Sequence, residues 1–170
     1  MNALLAAFAK EFAAEWPTDD VFARVTVRLV LAVLLATVIG WEREEHHKTA
    51  GLRDHQLVAL GSALFVVACC DAFHNSESVT RVVQGIATGI GFIGGGAILK
   101  MPDKDRIRGL TTAGSIWCSA SVGSAAGLGE MGAATIGLIL VFFVLAVLEK
   151  LKRRIDNKSP FRAETPVSPG

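Results

Sequence analysis

Net charge is almost absent from this sequence, because seventeen Lys and Arg stand against sixteen Asp and Glu. Without a field of one sign, nothing in the chain attracts a polyanion, and nucleic acid is excluded as a partner. Cysteine is scarce as well. Cys69, Cys70 and Cys118 fall inside apolar segments, in a pattern that forms neither a zinc motif nor a disulfide framework, so they read as packing residues. Charge is missing altogether from Leu57 to Cys70, and Arg28 is the sole charge between Val25 and Gly40. No nucleophile–base pair, phosphate loop or zinc ligand set is visible, so catalysis is not expected. A cleavable signal is not expected either, since Lys10, Glu11 and Glu15 interrupt any apolar core at the N-terminus.

What the chain does have is apolar residues in blocks. It is 51% hydrophobic with a mean hydropathy of +0.45, too apolar for an ordinary soluble domain of 170 residues. Five segments have roughly the length that crosses a ~30 Å hydrocarbon core. They run about Val21 to Trp41, His55 to Phe73, Val82 to Leu99, Leu110 to Leu128 and Met131 to Leu148. The fourth, LTTAGSIWCSASVGSAAGL, is small and polar and holds only if other helices cover it. The expected fold is all-α: a polytopic bundle of five transmembrane helices over residues 21–148. Residues 1–20 precede it as a short amphipathic helix in the membrane interface, with Leu4, Leu5, Phe8, Phe12 and Trp16 on one face. Residues 149–170 follow as a basic, partly disordered tail.

Most of the seventeen basic residues fall on one side of a five-span chain. Arg43, Lys48 and Arg53 lie after the first span, Lys100, Lys104, Arg106 and Arg108 after the third, and Lys150 to Arg154 after the fifth. The positive-inside bias makes that side cytoplasmic, with the N-terminus and the Asp71–Arg81 loop outside.

The polar exceptions mark candidate sites. Between the first two spans lies the ionic turn WEREEHHKTAGLRDH. Charge crowded at a bilayer boundary is costly unless it has a partner or a job. At helical spacing Glu42, Glu45 and His46 share a face, and Glu44 and Lys48 form an i,i+4 pair. One reading is a partner or cation site at Glu42, Arg43, Glu44, Arg53 and His55, with carboxylates suited to Mg2+. The other is a neutralised turn held by Arg43 and Arg53. No further cofactor is expected. Arg28 lies about 21 Å along the helix from Glu42, inside the outer leaflet, where it either pairs with Asp71 or snorkels beside Arg24. Gln84 is a lone intramembrane amide that a neighbouring helix would satisfy. Gly85, Gly89, Gly91 and Gly95 in the third span, and Ser119, Gly123 and Gly127 in the fourth, form small-residue stripes for close helix packing. That would make these two spans the tight centre of the bundle. Arg108, Thr111 and Thr112 suit an anion or lipid phosphate at a helix start, or a plain Thr cap.

Three motifs carry a resemblance. GWERE at Gly40–Glu44 with AGLR at Ala50–Arg53, then GIGFIGGGAI at Gly89–Ile98, then RGLTTA at Arg108–Ala113 resemble the signature of the MgtC/SapB membrane-protein family. The resemblance spans about residues 25–148 and implies a bacterial inner-membrane protein of the short form, without the soluble C-terminal domain of larger members. It further implies an accessory or regulatory factor acting on a membrane partner during magnesium limitation or envelope stress. The alternative is an oligomeric transporter of magnesium or another cation. The expected partners are the lipid bilayer and either another membrane protein or a second copy of the chain.

Overall fold

The computed structural model describes residues 2–14, 18–73, 76–100 and 107–156. Within them the chain is helical apart from one two-residue antiparallel ladder. The order is α1 (Asn2–Ala14), α2 (Asp19–Glu45), α3 (Leu52–Phe73), α4 (Ser76–Gly96), β1 (Leu99–Lys100), β2 (Ile107–Arg108), α5 (Leu110–Leu128) and α6 (Met131–Asp156). Trp16, His74, Lys104, Arg106 and the tail beyond Asp156 lie outside the described residues.

The helices alternate in direction. His55 meets Ser115 and Ala63 meets Gly127, so α3 and α5 run parallel. Arg28 near the start of α2 meets the end of α5, and Arg43 near its end meets Thr112 near the α5 start, so α2 runs against both. Lys48, just past α2, reaches Glu149 on α6, and Ala97, just past α4, abuts Gly109. The ends of α2, α4 and α6 therefore gather with the starts of α3 and α5 at one end of the bundle.

The centre is α3 against α5, not α4 against α5 as the glycine stripes suggested. Ser115, Ser119, Gly123 and Gly127 are all buried along one face of α5. A Cβ at Gly123 would stand 2.6 Å from the Ala59 Cα, and one at Gly127 would stand 2.8 Å from the Ala63 carbonyl oxygen. Helices without side chains at these points bring their backbones into contact, which maximises dispersion where lipid offers no hydrophobic drive. Gly85, Gly89, Gly91 and Gly95, by contrast, face open space on α4. Gly94 of that helix is buried, against Ala113, as is Ile90. A GxxxG spacing makes a face able to be approached; it does not supply the approaching helix. Gly85 and Gly89 line instead an apolar groove of about 710 Å³ with Leu57, Gly61, Phe65 and Phe92. Gln84 is likewise exposed on α4 rather than turned to a neighbouring helix.

The outside of the bundle is apolar. Phe92 is 86% exposed, and Trp41, Leu57, Phe65, Leu140 and Phe143 are also exposed. Such a continuous apolar exterior is untenable in water and suits lipid. By length and composition α2 and the Leu52–Cys70 part of α3 are able to cross a bilayer, and Met131–Val147 is a shorter apolar helix. A helix does form at Asn2–Ala14, with Leu4, Leu5 and Phe8 exposed, while the side chains of Phe12 and Trp16 lie outside the described residues. The basic residues after Leu148 are partly helical, because α6 continues to Asp156.

Candidate functional site

Polar side chains that should avoid a core are sealed within one end of the bundle. Glu42 and Arg43, in the last turn of α2, are 4% and 1% exposed, and His55, in the first turn of α3, is fully buried. They are held there because the short α2–α3 turn folds α3 tightly onto α2. A Cβ at Gly40 would lie 2.7 Å from the Leu52 Cα.

The cluster is a hydrogen-bonded hub joining α2, α3 and α5. Arg43 Nη1 lies 3.6 Å from Glu42 Oε2, and its Nη2 donates to Thr112 Oγ1 at 3.5 Å. Thr49 Oγ1 also donates to Thr112 Oγ1, at 3.5 Å. His55 Nδ1 faces the Gly51 carbonyl at 2.7 Å and therefore carries a hydrogen. In a neutral ring Nε2 then holds the lone pair, 3.1 Å from Ser115 Oγ. Ser115 also lies 2.9 Å from the Thr112 carbonyl, so its single proton is shared between two acceptors. Both Glu42 carboxylate oxygens and Arg43 Nε lack hydrogen-bond partners among the described residues. A buried ion pair left partly unsatisfied is expensive, and such sites persist where the arrangement serves something besides stability.

The structure divides the residues of the ionic turn. Glu42, Arg43 and His55 enter the hub, whereas Glu44 does not. Its Oε2 accepts the Leu52 N–H at 2.7 Å, capping α3, while Asp54 Oδ2 accepts the Gly51 N–H at 2.9 Å. Glu44 is thus taken from the expected pair with Lys48, which bonds Glu149 at 2.9 Å instead. Arg53 is exposed on the surface. Glu42 and His46 do converge, at 3.3 Å.

The other candidates separate too. Arg28 Nη1 donates to the Gly127 carbonyl at 3.0 Å; the Asp71 side chain lies outside the described residues. Thr112 is buried in the hub, while Thr111 and Arg108 face outward, so the three do not form one anion site. The α5 N-cap is Gly109, at φ +96°, rather than a threonine. At the opposite end of the bundle Glu77 pairs with Arg81 within α4. Three participants, Thr49, Ser115 and Glu149, carry no site signal that the sequence reading uses. Ser115 continues the Ser119, Gly123 and Gly127 stripe by one turn, and a hydroxyl at a helix start facing a charged turn is the signal that could have found it. Glu149 was assigned to the tail.

Comparison with known proteins agrees with the motifs. The sequence profile described as the MgtC family matches residues 29–154. The chain is 41% identical over 140 residues to "Protein SrpB" of Synechococcus elongatus, covering 76% of this chain and 75% of that protein. It is 37% identical over 144 residues to "Putative magnesium transporter YhiD" of Escherichia coli K12, covering 81% and 66%. It is 41% identical over 125 residues to "Protein MgtC" of Brucella abortus, covering 74% of this chain but about half, 51%, of that protein. No solved structure matches it.

Proposed function

Because the chain belongs to the MgtC family and is a magnesium-related membrane protein, we propose that it is an accessory or regulatory factor acting on a membrane partner in adaptation to low magnesium. The observation that carries this reading is the closed centre. Gly123 and Gly127 sit directly on the α3 backbone, and Arg43, Glu42 and His55 plug one end. An ion path needs a continuous polar lining, and the packed seam leaves no space for one between α3 and α5. The arrangement in the membrane is five spans, α2 to α6, with the hub and C-terminus in the cytoplasm of a bacterial inner membrane. The alternating helix directions support this, since they collect the basic turns at one end.

The second reading is an oligomeric cation transporter. The open groove beside Gly85 and Gly89 favours it, as a second copy seated there would be needed to complete any path.

Reconstitution separates the two. Purified protein in liposomes loaded with a magnesium-sensitive dye should show no flux above empty vesicles, while the same protein supports growth in low magnesium. Flux that scales with protein content would replace the regulatory reading by the transporter.

A further inference from the structure

Beside the hub, at the α2 end, Glu42 of the hub meets two groups that the regulatory reading does not use, His46 and Glu149. We propose that Glu42, His46 and Glu149 form a binding site for a divalent first-row metal ion of the Mn2+ or Zn2+ class. One potential ligand atom from each lies within 4.8 Å of the other two. Ligand bonds of about 2.0–2.2 Å would bring such atoms slightly closer together, a change that side-chain rotation supplies.

The second observation is Glu42 itself. Its carboxylate is 4% exposed, and neither oxygen has a hydrogen-bond partner among the described residues. It also borders a cavity of about 550 Å³ with Thr37, Trp41, Glu45, His46 and Phe142. A buried carboxylate whose oxygens accept no hydrogen bond among the described residues keeps acceptor capacity that a cation would use. His46 is held in the manner of a metal ligand. Its Nδ1 lies 2.8 Å from the Glu42 carbonyl oxygen and 3.3 Å from Glu42 Oε1, which holds the ring against that carboxylate.

The donor set selects the ion. Two carboxylates and an imidazole suit Mn2+, Fe2+ or Zn2+, whereas Mg2+ prefers oxygen ligands and retained waters. Lys48 Nζ now holds Glu149 Oε1 at 2.9 Å and competes with the metal for that carboxylate, and Lys150 also lines the cavity. The site bridges α2 to α6, so an occupying ion clamps those two helices and frees Lys48.

The test uses the full chain in detergent and inorganic salts alone. Titration calorimetry with MnCl2 should show one saturable ion per chain, and CoCl2 should give visible ligand-field absorption. Glu149→Gln and His46→Gln should each weaken Mn2+ binding about tenfold or more, while Lys48→Met should tighten it. The control Glu130→Gln, at the α5–α6 turn, should match the native chain. Gel filtration and thermal melting show whether each variant is folded; His46 and Glu149 are both only half-buried, so neither exchange opens the core. Absence of saturable binding at millimolar metal, equal binding by all variants, or Mg2+ binding as tight as Mn2+ would each overturn the assignment. None of these outcomes depends on whether the chain carries magnesium across a bilayer.

Discussion

The Arg28 guanidinium caps the end of a helix that lies nearly a hundred residues further along the chain. It donates to the Gly127 carbonyl at 3.0 Å, in the last turn of α5, where carbonyls have no partner within the helix. The neighbouring turn does the rest: Glu130 N donates to Ala125 O and Gly129 N to Ala126 O, with Gly129 at φ +86°. A positive charge at this pole also meets the negative end of the helix dipole. The outlying arginine of α2 thus has a structural partner, and it is a backbone oxygen.

Arg28→Gln should therefore destabilise the folded chain by about 1.5–3 kcal/mol, the range for a hydrogen bond to a charged donor. Gly129→Ala should also lower stability, because its Cβ would stand 2.6 Å from Arg28 Nη2 in a left-handed turn. Thermal unfolding in detergent checks both. An unchanged midpoint for Arg28→Gln would show that the cap contributes nothing.

Glycine substitutions should rank by what they face. Gly123→Ala forces the α3–α5 backbones apart and should cost about 1–3 kcal/mol or more. Gly89→Ala meets open space and should leave the melting midpoint of the single chain unmoved. Equal losses at the two positions would mean that the α4 glycines are covered after all.

Arg43→Met should cost about 3–5 kcal/mol by leaving the Glu42 carboxylate buried without its counter-charge. Adding Glu42→Gln should recover part of that loss. A double-mutant cycle measures it, and simple additivity of the two losses would show them to be uncoupled.

In low-magnesium growth, Glu42→Gln should abolish support at normal protein level, whereas Glu44→Gln should complement, since its amide oxygen still caps Leu52. Removing that oxygen with Glu44→Ala should cost about 0.5–2 kcal/mol of stability without loss of function. Failure of Glu44→Gln would return that residue to the functional centre.

Helix limits were legible where apolar runs meet hard punctuation. The α5 range and the start of α6 follow directly from Gly109 and the Gly129–Glu130 turn. The start of α4 did not, because SESVTR reads as a wet loop by hydropathy. As a helix it pairs Glu77 with Arg81 at i,i+4. Glu42, Arg43 and His55 were legible as charge at a bilayer boundary, where burial is costly. Their partners were not. Thr112 and Ser115 sit sixty to seventy residues away, and the parallel register of α3 with α5 is set by tertiary packing that a single sequence does not display. The same limit explains the glycines, since the stripes on α4 and α5 look alike until one meets α3 and the other meets nothing.

The glycine seam between α3 and α5 also has a mechanical meaning. Two backbones in contact at Ala59–Gly123 and Ala63–Gly127 interlock, and sliding one past the other meets a barrier until a full turn of about 5.4 Å has passed. The pair therefore behaves as a single rigid spar running through the molecule. Any movement that carries a signal must be borne by the elements clipped to that spar, α4 with its bare glycines and α6 with the Lys48–Glu149 latch.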